Sequence, residues 1–202
     1  MRLYGYDYSL TGMYFLTIVV QNRLQLFGYV RNGIMVLNHA GLMVENRYWE
    51  IEHKFPDKRC HAMVVMPNHF HCIIENMEPC AKKSHENLWD VLHSDKNEWD
   101  AHVGAPLQRE RLENEFTTNT KYGIDNIKYG ASIGNVMDWF KTMTTNEYIR
   151  GVKNENWIPF DKKLWQRNYY DHIIRNNRSF QKITDYILNN PVEWHLDEFF
   201  TN

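Results

Sequence analysis

Cysteine is scarce in this chain of 202 residues: Cys60, Cys72 and Cys80 are the only three, and no two form a Cys-x-x-Cys pair. An odd, scattered set excludes a disulfide framework, so the thiols are expected to be buried or idle. No apolar run approaches the length of a membrane-spanning helix, and the opening MRLYGYDYSLTG has neither the apolar core nor the cleavage site of a secretory leader. The expected compartment is therefore the cytoplasm, with no membrane partner. Excess positive charge is missing as well, with a formal net charge of −2 and a pI near 6.5. That argues against a protein that coats DNA non-specifically, because Lys and Arg contacts to phosphates supply most of such affinity. A local basic face is still compatible with this balance. No internal repeat is visible.

What is present suffices for a proper core. Hydrophobic residues make up 43% and charged residues 24%, which excludes a disordered chain. The length fits a single domain over residues 1–202. Within it, the segment from about 77 to 131 loses apolar periodicity and is rich in Lys, Glu, Asp and Asn. It is expected to be a long loop or insertion. Aromatics are plentiful (14%) and suit stacking on unpaired bases, although any single aromatic is more often core.

Periodicity orders the rest. YFLTIVVQ (14–21) is a β-rich run expected to be covered on both faces. Gly28 and Gly33 punctuate the next stretch, and apolar residues then recur at Leu37, Ala40, Val44, Tyr48 and Ile51, predicting a helix over 36–53. RCHAMVVM (59–66) and HFHCIIEN (69–76) are expected to pair as a hairpin about Pro67-Asn68. A helix over 132–150, capped by Ser132, has Ile133, Val136, Met137, Phe140 and Met143 on one face. KLWQRNYYDHII (163–174) is expected to be a final strand. A last helix has Asn177 as its N-cap, the stripe Phe180, Ile183 and Ile187, and Pro191 as its stop. The order β-α-β-β-α-β plus a C-terminal helix predicts an α+β, ferredoxin-like antiparallel sheet with helices packed on it. Many unrelated functions use that fold, so it names none.

The stretch MVVMPNHFHCII carries the chemistry. Residues i and i+2 of a strand share a face, so His69 and His71 project together while Phe70, Cys72 and Ile74 face the other way. Two imidazoles in an apolar strand are costly unless something satisfies them. A divalent metal or a phosphate would do so. A satisfied core histidine beside an exposed one is the commoner meaning of such a pair. On the last helix Tyr186 and Asn190 lie four apart, on one face at the edge of the apolar stripe. The tyrosine hydroxyl there is free to reach the sheet, and the asparagine offers a carbonyl oxygen to a metal. Amphipathic anchoring and C-terminal capping explain the same two residues structurally.

Taken together, MPNHFHCII, LWQRNYYDHIIRN and DYILNNPVEW resemble the HUH single-tyrosine transposases, and among them the REP-associated tyrosine transposases. The resemblance runs from about Tyr14 to Trp194, the 77–130 segment excepted. It implies that His69, His71 and Asn190 hold Mg²⁺ or Mn²⁺, that Phe70 is the hydrophobic residue between the ligands, and that Tyr186 is the nucleophile. The implied activity is cleavage and rejoining of single-stranded hairpin DNA through a covalent 5′-phosphotyrosine, by a monomer or a homodimer. Asn190 stands where insertion-sequence relatives more often have glutamine, and the low pI departs from the basic surface such enzymes carry. Arg150, Arg167, Arg175 and Arg178 are the candidate phosphate contacts. Tyr169 and Tyr170 rival Tyr186, but they alternate faces on the last strand, so at least one must turn away from the site.

The alternative function is a domesticated or non-catalytic protein of the same fold that binds single-stranded nucleic acid. An RNA-binding sheet would display aromatics in a GFGFV-like run, which is absent. A barrel amidohydrolase, which also uses a His-x-His pair, needs a longer chain of alternating βα units.

Overall fold

The computed structural model describes residues 5–78 and 127–200. The strands are β1 (Gly12–Val19), β2 (Gly28–Arg31), β3 (Ile34–Leu37), β4 (Lys58–Val65), β5 (His69–Asn76) and β6 (Tyr170–Ile174). The helices are α1 (His39–Lys54), α2 (Ile133–Asn154) and α3 (Asn177–Asn189), with short 3-10 turns at Gln21–Arg23 and Trp194–Leu196. Four strands form one sheet in the order β4-β5-β1-β6, and every neighbouring pair is antiparallel. This is the α+β, ferredoxin-like arrangement that the element order predicts. Among the described residues no helix is long and apolar enough to cross a membrane.

The two faces of the sheet are covered differently. Leu16, Ile18, Phe70, Cys72 and Ile74 point into the main core, where Val44, Tyr48 and Ile51 of α1 and Val136, Met137 and Phe140 of α2 meet them. The opposite face has a smaller apolar cluster, in which Ile187, Phe180 and Ile183 of α3 pack on Ile73, Ile174, Phe15 and Val64. That cluster fixes α3 across the histidine side of the sheet.

Three expectations need correction, and one element was not foreseen. Residues 28–37 form a separate two-stranded ribbon, with Tyr29 opposite Val36. Its turn has Asn32 at φ 54° and Gly33 at φ 74°, the paired positive angles that make Asn-Gly a strong hairpin signal. The helix expected from residue 36 therefore begins only at His39, with the Asn38 side chain accepting from the Gly41 N–H.

The last strand is short. Leu164 and Trp165 are buried in the main core, and the Trp165 indole N–H donates to Thr144 Oγ1 at 2.9 Å. Lys141 Nζ donates to the carbonyls of Gln166 and Arg167, at 2.6 and 3.0 Å. Residues 164–166 are thus held by α2 and by the end of β1, where Gln21 N–H donates to Leu164 O and Gln166 N–H to Val19 O, each 2.8 Å, and the continuous ladder with β1 begins at Tyr170. The N-cap of α3 is Asn176, which accepts from the Ser179 N–H, and Asn177 is the first helical residue. Residues 79–126 of the expected 77–131 insertion lie outside the described residues. Its two ends dock on the α1–β4 turn, through Met77 N–H to Asp57 O and Lys128 N–H to Lys54 O, each 2.9 Å.

Candidate active site

His69 and His71 sit side by side on β5 with ring centroids 4.5 Å apart, and both are fully buried. Their strand is the second in the order, flanked by β4 and β1, so its backbone is paired on both sides and the imidazoles are fixed. Each ring is oriented through Nδ1. His71 Nδ1 lies 2.7 Å from the Thr17 hydroxyl of the neighbouring strand, and His69 Nδ1 lies 2.9 Å from Asn68 Oδ1. The Asn68 amide is itself fixed, because its Nδ2 donates to the Phe199 carbonyl at 2.7 Å. An amide oxygen only accepts, so His69 must carry its proton on Nδ1 and present a bare Nε2 lone pair. Outer hydrogen bonds of this kind set the tautomer and aim of metal-binding histidines.

The Nε2 atoms meet groups from the C-terminal part of the chain. Tyr186 Oη lies 3.3 Å from His71 Nε2. The ring of Phe15 stacks on His71 at 5.4 Å and meets Tyr186 edge-on at 6.0 Å, which positions both. His69 Nε2 has no hydrogen-bond partner, and neither does the buried Oδ1 of Asn190. Asn190 Nδ2 instead donates to Asp197 Oδ2 at 3.0 Å, and that carboxylate oxygen is 3.9 Å from His69 Nε2. One ligand atom each from His69, His71 and Asp197 lies within 4.8 Å of the others. Trp194 and Phe199 lie against His69, with ring centroids 5.8 and 4.9 Å from it.

The electrostatics follow from this burial. Desolvation holds His69 down to about 3, partly offset by the Asn190 amide beside it. His71 is also held well below its ordinary value, by burial first and by the adjacent His69 second. Both imidazoles are therefore neutral at pH 7, the form that ligates a metal. The Tyr186 phenol is pushed up to about 12, chiefly by desolvation and then by the Asp197 carboxylate. Two imidazoles, an amide oxygen and a carboxylate, with two buried acceptor atoms unsatisfied, are a donor set that fits a divalent cation.

An uncharacterised protein of Haemophilus influenzae (strain KW20 / Rd) is 33% identical over 202 residues, covering all of this chain and 92% of its own length. This chain belongs to that protein's family. No model of a known protein family matches it. Among solved structures, a REP-associated tyrosine transposase bound to a REP hairpin superposes with a TM-score of 0.52 at 18% identity, over 98% of this chain and 77% of that one. The fold is therefore shared with that solved structure.

Of the residues singled out from the sequence, His69, His71, Tyr186 and Asn190 are brought together here. The arginines are dispersed. Arg150, Arg167, Arg175 and Arg178 are all exposed. Arg175 and Arg178 lie at the β6–α3 junction, and Arg167 lines a cleft beside Tyr170. Arg150 does not join them: α2 packs behind the sheet, with Phe140 stacked on Phe70, so Arg150 is on a helix remote from the histidine face. Tyr169 packs against the main core, whereas Tyr170 is 55% exposed. Sequence reasoning missed Thr17, Asn68, Asp197, Trp194 and Phe199. The faint available signal for Asp197 was a carboxylate seven residues beyond Asn190, after the helix-stopping proline.

Proposed function

We propose that this protein is a metal-dependent DNA transposase that cleaves and rejoins single-stranded hairpin DNA through a covalent bond to Tyr186. The observation that carries the reading is the meeting of Tyr186 Oη with His71 Nε2 at 3.3 Å, beside the partnerless His69 Nε2 and Asn190 Oδ1. A hydroxyl nucleophile and an unsatisfied donor set at one point are what phosphodiester cleavage requires. The neighbouring hairpin-bound transposase supports the choice of substrate.

His69, His71 and Asn190, joined by Asp197, would hold Mg²⁺ or Mn²⁺. The cation would supply Lewis-acid polarisation of the scissile phosphate. The chain's own residues do the rest. Phe15 and the apolar face of α3 hold the Tyr186 ring so that its oxygen faces the histidine pair. With its phenol near 12, Tyr186 is almost wholly protonated at pH 7, so attack depends on positive charge brought beside it. As the Oη–P bond forms, the phenol loses its proton and the P–O3′ bond breaks. The departing 3′ oxygen takes up a proton and becomes a free hydroxyl. The phosphotyrosine retains the energy of the diester, so a second 3′-hydroxyl can reverse the step and join a new strand. Access to His69 requires the segment carrying Trp194 and Phe199 to yield, since both rings lie against that imidazole.

That burial is also the observation favouring the second reading, a non-catalytic binder of single-stranded nucleic acid with the same fold. One assay separates the two. Incubation with a hairpin oligonucleotide bearing an unpaired flank should give a covalent protein–DNA band that depends on Mn²⁺ and is lost with the matching perfect duplex. Tight binding of the hairpin with no covalent band under any metal would favour the second reading.

A further inference from the structure

The histidine face of the sheet continues past the buried site. On the edge strand β6, Tyr170 pairs with Thr17 and His172 with Phe15, and these pair in turn with His71 and Ile73. Directly paired residues share a face, so Tyr170 and His172 project on the histidine side. Tyr170 is 55% exposed, and its ring is 6.2 Å from Phe199, which in turn touches His69. Beyond it Tyr170 walls a cleft of about 870 Å³ together with Gln21, Gln166, Arg167 and Asn168. A second cleft of about 500 Å³ shares Asp138, Gln166 and Arg167 with the first, and adds Lys141, Lys162 and Lys163. Lys141 is engaged with two carbonyls, but Lys162, Lys163 and Arg167 are exposed, and Asp138 is the one acidic residue of the lining.

We propose that the two clefts form one trough for the unpaired strand flanking the scissile phosphate. Tyr170 stacks under the base nearest the histidine pair, and Arg167, Lys162 and Lys163 receive the phosphates behind it. This rests on the reading of the site as one that cleaves DNA. The lining selects the ligand. Its positive groups stand out in a chain of net charge −2 and match a phosphate backbone. An exposed phenol ring on the path matches a base whose π-face is free, which a duplex does not offer. The course of the trough also explains why a tyrosine beside the site stays exposed instead of packing.

The test uses the full chain carrying Tyr186→Phe, so that bound DNA is not consumed, and a fluorescent hairpin with and without its unpaired flank. In this background Tyr170→Ala should weaken binding of the flanked hairpin about ten- to a hundred-fold and leave the flankless one unchanged. Tyr170→Phe should restore it. Arg167→Gln, a change at an exposed position, should lower the slope of log affinity against log salt by about 0.7. Unchanged melting temperature and Mn²⁺ affinity in these variants would separate strand binding from damage to the fold or the histidine site. Undiminished flank affinity in Tyr170→Ala, with an unchanged slope in Arg167→Gln, would overturn the trough even if the wild type forms a covalent adduct. Lost flank affinity without any wild-type adduct would instead keep the trough and overturn the cleavage reading.

Discussion

Adding Mn²⁺ to the metal-free protein should stabilise it, and the size of the effect follows from the atoms waiting for a partner. His69 Nε2 and Asn190 Oδ1 are buried without hydrogen bonds. Each such atom costs roughly 1–3 kcal/mol, so the pair sets aside about 2–6 kcal/mol that ligation can recover. At a free cation concentration a hundred times the dissociation constant, linkage gives about 2.7 kcal/mol of stabilisation. For a domain of this size each kcal/mol moves the melting temperature by roughly 2–4 °C, so the expected rise is about 5–10 °C. Asp197→Asn keeps the shape but removes the charge beside His69, and should need about ten times more Mn²⁺ for the same rise. His69→Ala and His71→Ala should each cut the rise to about 2 °C or less. Scanning calorimetry in chelator and in graded Mn²⁺ measures all of this. An equal rise in wild type and in the double alanine variant would refute the reasoning, as would no rise in the wild type at any concentration.

Thr17→Val removes the group that orients His71 through Nδ1, and should weaken Mn²⁺ binding about 10- to 100-fold in a calorimetric titration while the fold persists. Thr144→Val leaves the buried Trp165 indole N–H without its acceptor and should cost about 1–3 kcal/mol in urea unfolding; wild-type stability would mean that this bond does not hold residues 164–166 in place. Gly151→Ala would set a Cβ 2.3 Å from the Trp157 ring, and the same unfolding experiment should show a loss of about 1–3 kcal/mol.

Local pattern carried much of the architecture. The alternation through His69-Phe70-His71-Cys72 gave the two faces of β5 without ambiguity, because a strand permits only two directions. The 3.6-residue stripe Phe180, Ile183 and Ile187 likewise placed Tyr186 at the margin of the helix face that meets the sheet. The ribbon at 28–37 was also legible, in Asn32-Gly33, and was missed because the apolar residues after it fit a helix as well as a strand. Trp165 does bridge to Val20 as a strand residue would, but the break between it and Tyr170 was hidden for a tertiary reason. An indole anchored on Thr144 of a packed helix cannot be told, from sequence, from one held by a sheet alone. The parts of the site that stayed hidden are those joined by long-range contacts. Asn68 reaches Phe199, and Asp197 reaches Asn190 and His69, through a tail with no periodicity to read.

The identity of the nucleophile is the most direct point of test. The wild-type protein, incubated with Mn²⁺ and a flanked hairpin and then digested, should yield one phosphotyrosyl peptide, the one containing Tyr186. Tyr186→Phe should yield none while still binding the hairpin and still being stabilised by Mn²⁺, since it loses a single oxygen 3.3 Å from His71. Tyr170→Phe should leave the adduct where it was. A phosphotyrosyl peptide containing Tyr169 or Tyr170 and none containing Tyr186, or an adduct that survives in Tyr186→Phe, would contradict the assignment.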